Sequence, residues 1–150
     1  MKPYLLDTNH CFRLIARDER MLAVLNERPL ERLMTSVVVG GELRYGALIS
    51  ERRIENALAV VDFLGRIDQI AISPAISQIY ADLKAGILMK LGPKDRSRRR
   101  PFDLSKLGFT DNDLWIAASA IERDAVIVSE DSDFRRMAAF ESLDVENWLS

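Results

Sequence analysis

Tyr4-Leu5-Leu6-Asp7-Thr8-Asn9 is the stretch of sequence that decides the fold, because a short apolar run ends there abruptly in polar side chains. An apolar run of this length, bounded by polar residues, predicts a fully buried β-strand. Asp7 then lies where the strand leaves the sheet. In open α/β sheets, ligands bind at this edge, outside the carboxyl ends of the strands.

The composition predicts one globular domain. The 150 residues are 48% apolar and 29% charged, which leaves room for one core, and we expect a single domain over residues 1–150. No apolar run approaches the roughly 20 residues of a membrane span, so no membrane association is expected. Only Tyr4, Leu5 and Leu6 form an apolar run between Lys2 and Asp7, too few for a signal peptide, and we expect a cytoplasmic protein.

The chain has one histidine, His10, and one cysteine, Cys11. A structural zinc site takes about four cysteine or histidine ligands, so one chain cannot assemble it. A nucleophile activated by histidine would have to use His10 alone. Any metal must therefore be held mainly by oxygen, which points to magnesium or manganese.

Strand and helix patterns alternate along the chain. Besides the first strand, strands are predicted at Gln69 to Ile72, at Ala125 to Val128 and, at the edge, within Leu143 to Trp148, while Leu33 to Thr35 are too few to predict a strand firmly. Apolar spacing predicts helices at about 12–17, 18–26, 37–49, 51–64, 74–91, from 111 onward and 134–140. This alternation predicts an α/β fold with three α/β/α layers and a central parallel sheet of four or five strands.

Three details of this pattern are specific enough to check. Asn26 to Pro29 should break the second helix. The helix from Val37 should bury Leu43, Ala47 and Leu48. Lys94 to Thr110 has no periodicity and is predicted to be a long loop, which in a compact domain is usually functional or mobile.

Four acidic residues stand at informative positions: Asp7, Glu42, Asp113 and Asp131. Taken singly, Asp113 and Asp131 are explained by helix capping, and acids near a helix N-terminus are favoured by about 0.3–1 kcal/mol. Capping does not explain Glu42, which lies too deep in its helix. If the strands are parallel, Asp7, Asp131 and the start of the Asp113 helix share one end of the sheet.

Convergence of these four carboxylates would be unfavourable without a counter-ion, because like charges raise the pKa of each other. A divalent cation removes the repulsion, activates water and stabilises charge on a phosphate under attack. Gly40 and Gly41 each cost about 1 kcal/mol within a helix. They are tolerable if the backbone approaches another group closely there.

Four segments stand out together: Leu5 to Asn9, Glu42 to Gly46, Asn112 to Ala118 and Val128 to Phe134. In this order and spacing they resemble the four motifs of PIN-domain nucleases, and among these the VapC-type toxins of bacterial toxin–antitoxin pairs. The resemblance implies metal-dependent cleavage of single-stranded RNA, with Mg²⁺ or Mn²⁺ as cofactor. It also implies a VapB-like antitoxin and a homodimer as partners, and the early helices with 51–64 could offer a groove to an antitoxin helix.

The resemblance also assigns roles to residues. It implies that Asp7, Glu42, Asp113 and Asp131 are the catalytic and metal-binding set. Supporting roles fall to Thr8, Asn9 and Ser129, which match family positions that orient carboxylates or water, and to the spare acids Asp111 and Asp133, which could share or replace the main roles. Ser129 stands where the family commonly has threonine, a departure that keeps the hydroxyl.

A basic run lies in the predicted loop. Its members are Lys94, Arg96, Arg98, Arg99 and Arg100, in a chain of net charge −2. We predict that it contacts RNA phosphates, since arginine and lysine supply sequence-independent affinity by releasing counter-ions. A solvated loop and an antitoxin contact are the alternatives.

A non-catalytic acidic α/β module, receiver-like or a nuclease-fold scaffold, is the alternative function. A receiver would normally have a lysine near the edge of the sheet late in the chain, and no lysine follows Lys106. A phosphatase of the haloacid-dehalogenase type would have an aspartate where Asn9 stands. Both alternatives are therefore weaker than the nuclease hypothesis.

Overall fold

The computed structural model describes residues 1–28 and 32–149. Its sheet has five parallel strands in the order β3-β2-β1-β4-β5. The strands are β1 (Tyr4–Leu6), β2 (Leu33–Ser36), β3 (Asp68–Ile70), β4 (Val126–Val128) and β5 (Asp144–Glu146). Helices flank the sheet, so the predicted three-layer α/β/α architecture is confirmed.

The described helices connect the strands in chain order. They are α1 (Thr8–Ile15), α2 (Glu19–Asn26), α3 (Val37–Leu48), α4 (Arg53–Leu64), α5 (Pro74–Leu91), α6 (Arg96–Arg99), α7 (Asp111–Glu122) and α8 (Ser132–Met137). None of them, within 1–28 and 32–149, is long and apolar enough to cross a membrane.

The strand register brings three chain segments to one edge of the sheet. Leu6 pairs with Val128, so Asp7 and Ser129 are the next residues of neighbouring strands. The backbone N–H of Asp7 extends this pairing by donating to the carbonyl of Val128 at 3.1 Å. On the other side, the Thr35 hydroxyl donates to the carbonyl of Leu6 at 2.8 Å. The ends of β1, β2 and β4 therefore coincide.

Helix α7 brings a fourth segment to the same edge. Its residues Ala117, Ala118, Ser119 and Ala120 are fully buried, and small side chains let a helix pack closely against its neighbours. The helix packs against α5 and α3. Thr110 caps its N-terminus by accepting from the backbone N–H of Asp113 at 3.2 Å.

The prediction of an irregular loop over Lys94 to Thr110 is wrong. Helix α6 and a 3₁₀ helix (Leu104–Leu107) lie within it, and each begins at an aspartate that caps it. Asp95 accepts from the N–H of Ser97 at 3.1 Å, and Asp103 accepts from the N–H of Ser105 at 2.9 Å. Elements of one turn are too short to show a helical period, so the pattern does not reveal them.

Other boundaries differ from the prediction by a few residues. Strand β3 ends at Ile70 and helix α8 spans Ser132–Met137, while Pro29, part of the predicted helix break, lies outside the described residues. Leu48 is 51% exposed, so the prediction that it is buried is wrong. The buried face of α3 contains Leu43 and Ala47, and a residue five positions after Leu43 lies about 140° around the helix from it.

One of the two helical glycines is explained by a close approach. A Cβ on Gly40 would lie 2.7 Å from the side-chain oxygen of Gln69 and 3.2 Å from Arg44, so Gly40 admits these side chains. Gly41 faces open space, where nothing lies within 4 Å. The expected close approach therefore holds for Gly40 and is wrong for Gly41.

Candidate functional site

An acidic cavity of about 300 Å³ opens at the edge where β1, β2 and β4 end. It is lined by Asp7, Thr8, Asn9, Glu42, Asp113, Ile116, Glu130, Asp131 and Phe134. Five of these side chains are carboxylates, and none of the lining residues in the described parts of the chain is a cation. The cavity therefore concentrates negative charge without a protein counter-ion.

Asp7 is held by the helix that follows it. As N-cap of α1, its Oδ1 accepts from the backbone N–H of His10 at 2.9 Å, and Nδ1 of His10 lies 3.0 Å from the same oxygen. His10 is fully buried and Asp7 is only 7% exposed. These contacts fix the orientation of the carboxylate at the end of β1.

Glu42 reaches the cavity from α3, which Ser36 caps at the end of β2. Its Oε1 is buried and has no hydrogen-bond partner among the described residues. Burial raises the pKa of Glu42; the charge of Asp7 adds to this rise, and hydrogen bonding by the Thr8 and Asn112 side chains opposes it. A buried carboxylate oxygen without a partner is a costly arrangement unless a ligand completes it.

Asp113 lies in the first turn of α7. Burial raises the pKa of Asp113 to about 6; the charges of Asp131, Glu42 and Asp133 add to the rise, and a hydrogen bond from Thr110 opposes it. At neutral pH this carboxyl group is mostly ionised in an unfavourable environment. It therefore gains from any cation that enters the cavity.

Asp131 caps α8 and follows β4. Its Oδ1 accepts from the N–H of Asp133 at 2.9 Å, while its own N–H donates to the Ser129 hydroxyl at 3.0 Å. Burial raises the pKa of Asp131, and the charges of Asp133 and Asp7 add to this. Carboxylate oxygens of Asp113, Asp131 and Asp133 lie within 4.8 Å of one another, close enough to share one ion.

The residues present fit a hard divalent cation. The donors at the cavity are carboxylate, hydroxyl and amide oxygens, the ligands that magnesium and manganese prefer. Such an ion would give the unpaired Oε1 of Glu42 a partner, and it would stabilise the ionised form of Asp113, whose pKa burial raises.

The other predicted site residues lie at different distances from the cavity. Thr8 and Asn9 line it. Ser129 does not line it, but its hydroxyl accepts from the backbone N–H of Asp131. Asp133 is close, but its Oδ1 also pairs with Arg136 at 2.9 Å. Asp111 points elsewhere, because its Oδ1 accepts from Lys84 at 2.7 Å and from the Tyr80 hydroxyl at 2.6 Å.

The basic run does not line the acidic cavity. None of Lys94, Arg96, Arg98, Arg99 and Arg100 is among its lining residues. Two of them, Arg99 and Arg100, line another depression, next to α5.

The sequence alone does not single out Glu130 and Asn112. Glu130 lines the cavity and accepts from the Asn9 amide, and the Asn112 side chain opposes the rise in the pKa of Glu42. Each directly precedes one of the predicted acidic residues, Asp113 or Asp131, and this position in the chain is the one feature of the sequence that could have indicated them.

The chain is similar in sequence to a known family and to two proteins named as ribonucleases. The PIN domain family matches residues 4–140. Ribonuclease VapC2 of Haemophilus influenzae is 30% identical over 153 aligned positions, which cover 99% of this chain and all of the relative. Ribonuclease VapC2 of Rickettsia felis is 28% identical, with 97% of each chain covered.

Solved structures share the fold. VapBC2 from Rickettsia felis bound to a promoter DNA fragment superposes with a TM-score of 0.72 at 26% identity, covering 97% of this chain and 98% of the other. DNA-bound VapBC from Salmonella typhimurium gives a TM-score of 0.77 at 23% identity, covering 99% of both chains.

Proposed function

Because the chain belongs to the PIN-domain family, we propose that it is a single-domain, metal-dependent endoribonuclease. It would cleave single-stranded RNA in the cytoplasm, and it would be the toxin of a type II toxin–antitoxin pair. The convergence of Asp7, Glu42, Asp113 and Asp131 on one cavity carries the proposal. The similarity to proteins named Ribonuclease VapC supports the class of reaction.

In this proposal the four carboxylates hold Mg²⁺ or Mn²⁺, directly or through water. When bound, the ion supplies Lewis-acid stabilisation of the phosphate and activation of the attacking water. Oδ1 of Asp7 is held by His10, so its orientation is set before substrate arrives. Ser129 holds the backbone at Asp131 in the same way. No side chain serves as the nucleophile.

The experiment is cleavage of a single-stranded RNA pool with Mn²⁺ or with chelator. We expect cleavage only with the metal, and we expect Asp113→Asn to lower the rate at least about 100-fold, as loss of a group that stabilises transition-state charge does. Asp124→Asn is the matched control, because Asp124 follows the far end of α7 and is exposed. Equal cleavage by wild type and Asp113→Asn would contradict the proposal, and intact RNA in every lane would favour the non-catalytic binding module.

An apolar groove supports the proposal of a VapB-like antitoxin partner. The groove has a volume of about 470 Å³ and is lined from α1, α2 and α4 by residues that include Leu14, Ile15, Leu22, Leu25 and Phe63. Such a groove suits the apolar face of an amphipathic helix. Solved relatives are VapBC complexes, which makes an antitoxin the partner that we propose for this chain.

Co-purification with the cognate antitoxin tests the groove. Leu22→Asp places a charge in it, and we expect this variant to lose the antitoxin while keeping its fold. Ile72→Asp is the control, since Ile72 is similarly exposed (40% against 37%) and lies outside the groove. Equal retention by both variants would contradict the assignment.

A homodimer is the further partner that we propose. Apolar side chains on and next to α3 and α4 are between 51% and 78% exposed: Tyr45, Leu48, Ile49, Ile54, Leu58 and Val61. Helices α3 and α4 pack against each other, and large exposed apolar side chains on neighbouring helices are typical of a surface that another protein chain covers. Light scattering should give a dimer for the wild type and a monomer for Ile54→Asp; a wild-type monomer would contradict the proposal.

A further inference from the structure

A groove that is basic at its outer end lies next to the acidic cavity and consists of two adjoining depressions of about 440 and 220 Å³. The two share Lys84, Phe102 and Leu104. The larger also contains Arg99 and Arg100, while the smaller contains the carboxylates of Asp103 and Asp111 and ends at Thr110. We call the two together the α5 groove.

The α5 groove leads to the first turn of α7, where the acidic cavity begins. Asp111 lines the groove, while Asp113, in the same turn, lines the cavity. Thr110 lies at the boundary between them, because it lines the groove and its hydroxyl accepts from the N–H of Asp113. Asp111 and Asp113 are two residues apart and point to different sides of α7, so a strand leaving the groove would pass around the N-terminus of α7 to reach the carboxylates.

The charges of the α5 groove are positive at its outer end. Nε of Arg99 donates to the carbonyl of Pro93 at 3.0 Å and Nη2 donates to the carbonyl of Lys94 at 3.3 Å, which hold the guanidinium in place. Arg100 is exposed. Lys84 lies between them and the acidic cavity, paired with Asp111. The cations thus lie beside a site that by itself repels phosphates.

The walls of the α5 groove contain aromatic rings beside cations: Nζ of Lys84 lies 5.3 Å from the ring centroid of Tyr80, and Nζ of Lys106 lies 5.8 Å from that of Phe102. Phe102 is half-buried and lines both depressions. The ring of Tyr80 is fixed by stacking on Trp115, with ring centroids 3.7 Å apart and an angle of 4° between planes. Aromatic side chains beside cations are the combination by which proteins bind single strands without sequence preference.

We propose that the α5 groove binds the part of the single-stranded RNA that adjoins the scissile phosphate. Lys84 and Arg100 contact phosphates, and Phe102 contacts a base. The inference rests on the proposed nuclease function and deepens it, because it assigns the strand to a defined surface. It separates Arg99 and Arg100 from Lys94, Arg96 and Arg98, which do not line the groove.

Asp111 has an opposing role in this account. Its carboxylate holds Lys84 in the groove but also competes with phosphate for the ammonium group. A purely structural Lys84–Asp111 pair would respond in the same way to loss of either partner. A phosphate contact predicts opposite effects, because Lys84→Gln removes an attraction for RNA and Asp111→Asn removes a competitor.

The test is RNA binding measured by fluorescence anisotropy in the Asp113→Asn background with Mg²⁺, using a labelled single-stranded RNA and a short fragment of it. We expect Lys84→Gln and Arg100→Gln each to raise Kd about 3- to 10-fold. Each should also make the dependence of log Kd on log salt concentration shallower by about 0.7, the value for one phosphate neutralised on a single strand.

Arg98→Gln is the matched control, because it makes the same change of charge outside the groove and should shift Kd by less than about twofold. The short RNA fragment places fewer phosphates in the groove. For this fragment, the differences in Kd between the variants should therefore be smaller than for the full-length RNA. Thermal melting checks that each variant is folded.

Three results would overturn the inference. Equal weakening by Lys84→Gln and Arg98→Gln would mean that only the overall charge matters. Weakening by Asp111→Asn as well as by Lys84→Gln would mean that the pair is structural. Unchanged RNA binding with loss of antitoxin by Lys84→Gln and Arg100→Gln would make the groove a protein-binding surface. If RNA binds as expected but wild-type protein does not cleave it, the nuclease proposal fails and the groove stands.

Discussion

Nδ1 of His10 lies 3.0 Å from Oδ1 of Asp7, and the backbone N–H of His10 donates to the same oxygen at 2.9 Å. Nε2 of His10 is buried and has no partner among the described residues. A proton on Nε2 would thus be left without an acceptor, so we assign the proton to Nδ1, from which it is donated to Asp7. The imidazole and the helix cap together orient the carboxylate.

The His10–Asp7 contact predicts a difference between two substitutions of His10. His10→Asn keeps a side-chain N–H near the position of Nδ1, whereas His10→Leu removes the donor. We expect His10→Leu to lower Mn²⁺ affinity about 10-fold or more, as loss of a group that orients a metal ligand does. His10→Asn should keep most of that affinity.

Calorimetric titration with Mn²⁺ measures this difference, and thermal melting accounts for the stability that each variant loses when the buried ring of His10 is replaced by a side chain of different shape. If the two variants bind Mn²⁺ equally, His10 contributes packing alone.

The raised pKa of Asp113 predicts how stability depends on pH in the metal-free protein. The pKa is about 6 in the fold, against an ordinary value of 3.8, so between these values the folded state binds more protons than the unfolded chain. This group therefore destabilises the fold above pH 6, and the cost disappears as the pH falls towards 4. We expect Asp113→Asn to raise the free energy of unfolding at pH 7 by about 1–2 kcal/mol, after allowance for solvent screening.

Urea denaturation with chelator at pH 7 and at pH 4.5, roughly the ordinary carboxyl range, measures this effect. The gain should shrink at the lower pH, and saturating Mn²⁺ should make the wild type the more stable protein. Asp124→Asn is the control: it removes an exposed ion pair with Lys2, so it should lower stability by less than about 1 kcal/mol and not raise it. A variant that is less stable than wild type at pH 7 without metal would contradict this electrostatic account.

Two glycines should respond in opposite directions to alanine. Gly41 lies in α3 with open space around it, so Gly41→Ala should stabilise the protein by about 0.5–1 kcal/mol. Gly108 has a φ of 93°, and a Cβ there would lie 3.1 Å from Arg136 and 3.3 Å from Asp133. Gly108→Ala should therefore destabilise by about 1–2 kcal/mol.

Thermal denaturation of the two glycine variants measures both changes. Gly108→Ala should also disturb Asp133, since Arg136 joins this loop to that carboxylate by donating to the carbonyl of Leu107 at 2.7 Å. A Gly108→Ala protein as stable as wild type would show that the loop adapts without strain.

The acidic edge can be predicted from the sequence because local patterns determine it. Leu5 and Leu6 end in Asp7, and Val126 to Val128 end before Asp131, so two parallel strands place carboxylates at one edge. Glu42 stands out because it lies too deep in α3 for capping. The assignment of these residues to catalysis stays a prediction.

Contacts between distant side chains cannot be predicted from local patterns. Asp111 on α7 pairs with Lys84 on the neighbouring helix α5, and Arg136 on α8 donates to the carbonyl of Leu107. Both depend on how α5, α7 and α8 pack, which no spacing in one segment encodes. For the same reason the sequence does not indicate which arginines of 96–100 line a groove: Arg99 does so, and Arg98 does not.

The most direct test of the central claim is a crystal of the protein soaked in Mn²⁺, measured for anomalous scattering. The claim predicts one or two anomalous peaks in the acidic cavity, within coordination distance of carboxylate oxygens from Asp7, Glu42, Asp113 or Asp131, and their loss in Asp113→Asn. A peak elsewhere with none in the cavity, or a cavity without metal at saturating Mn²⁺, would contradict it.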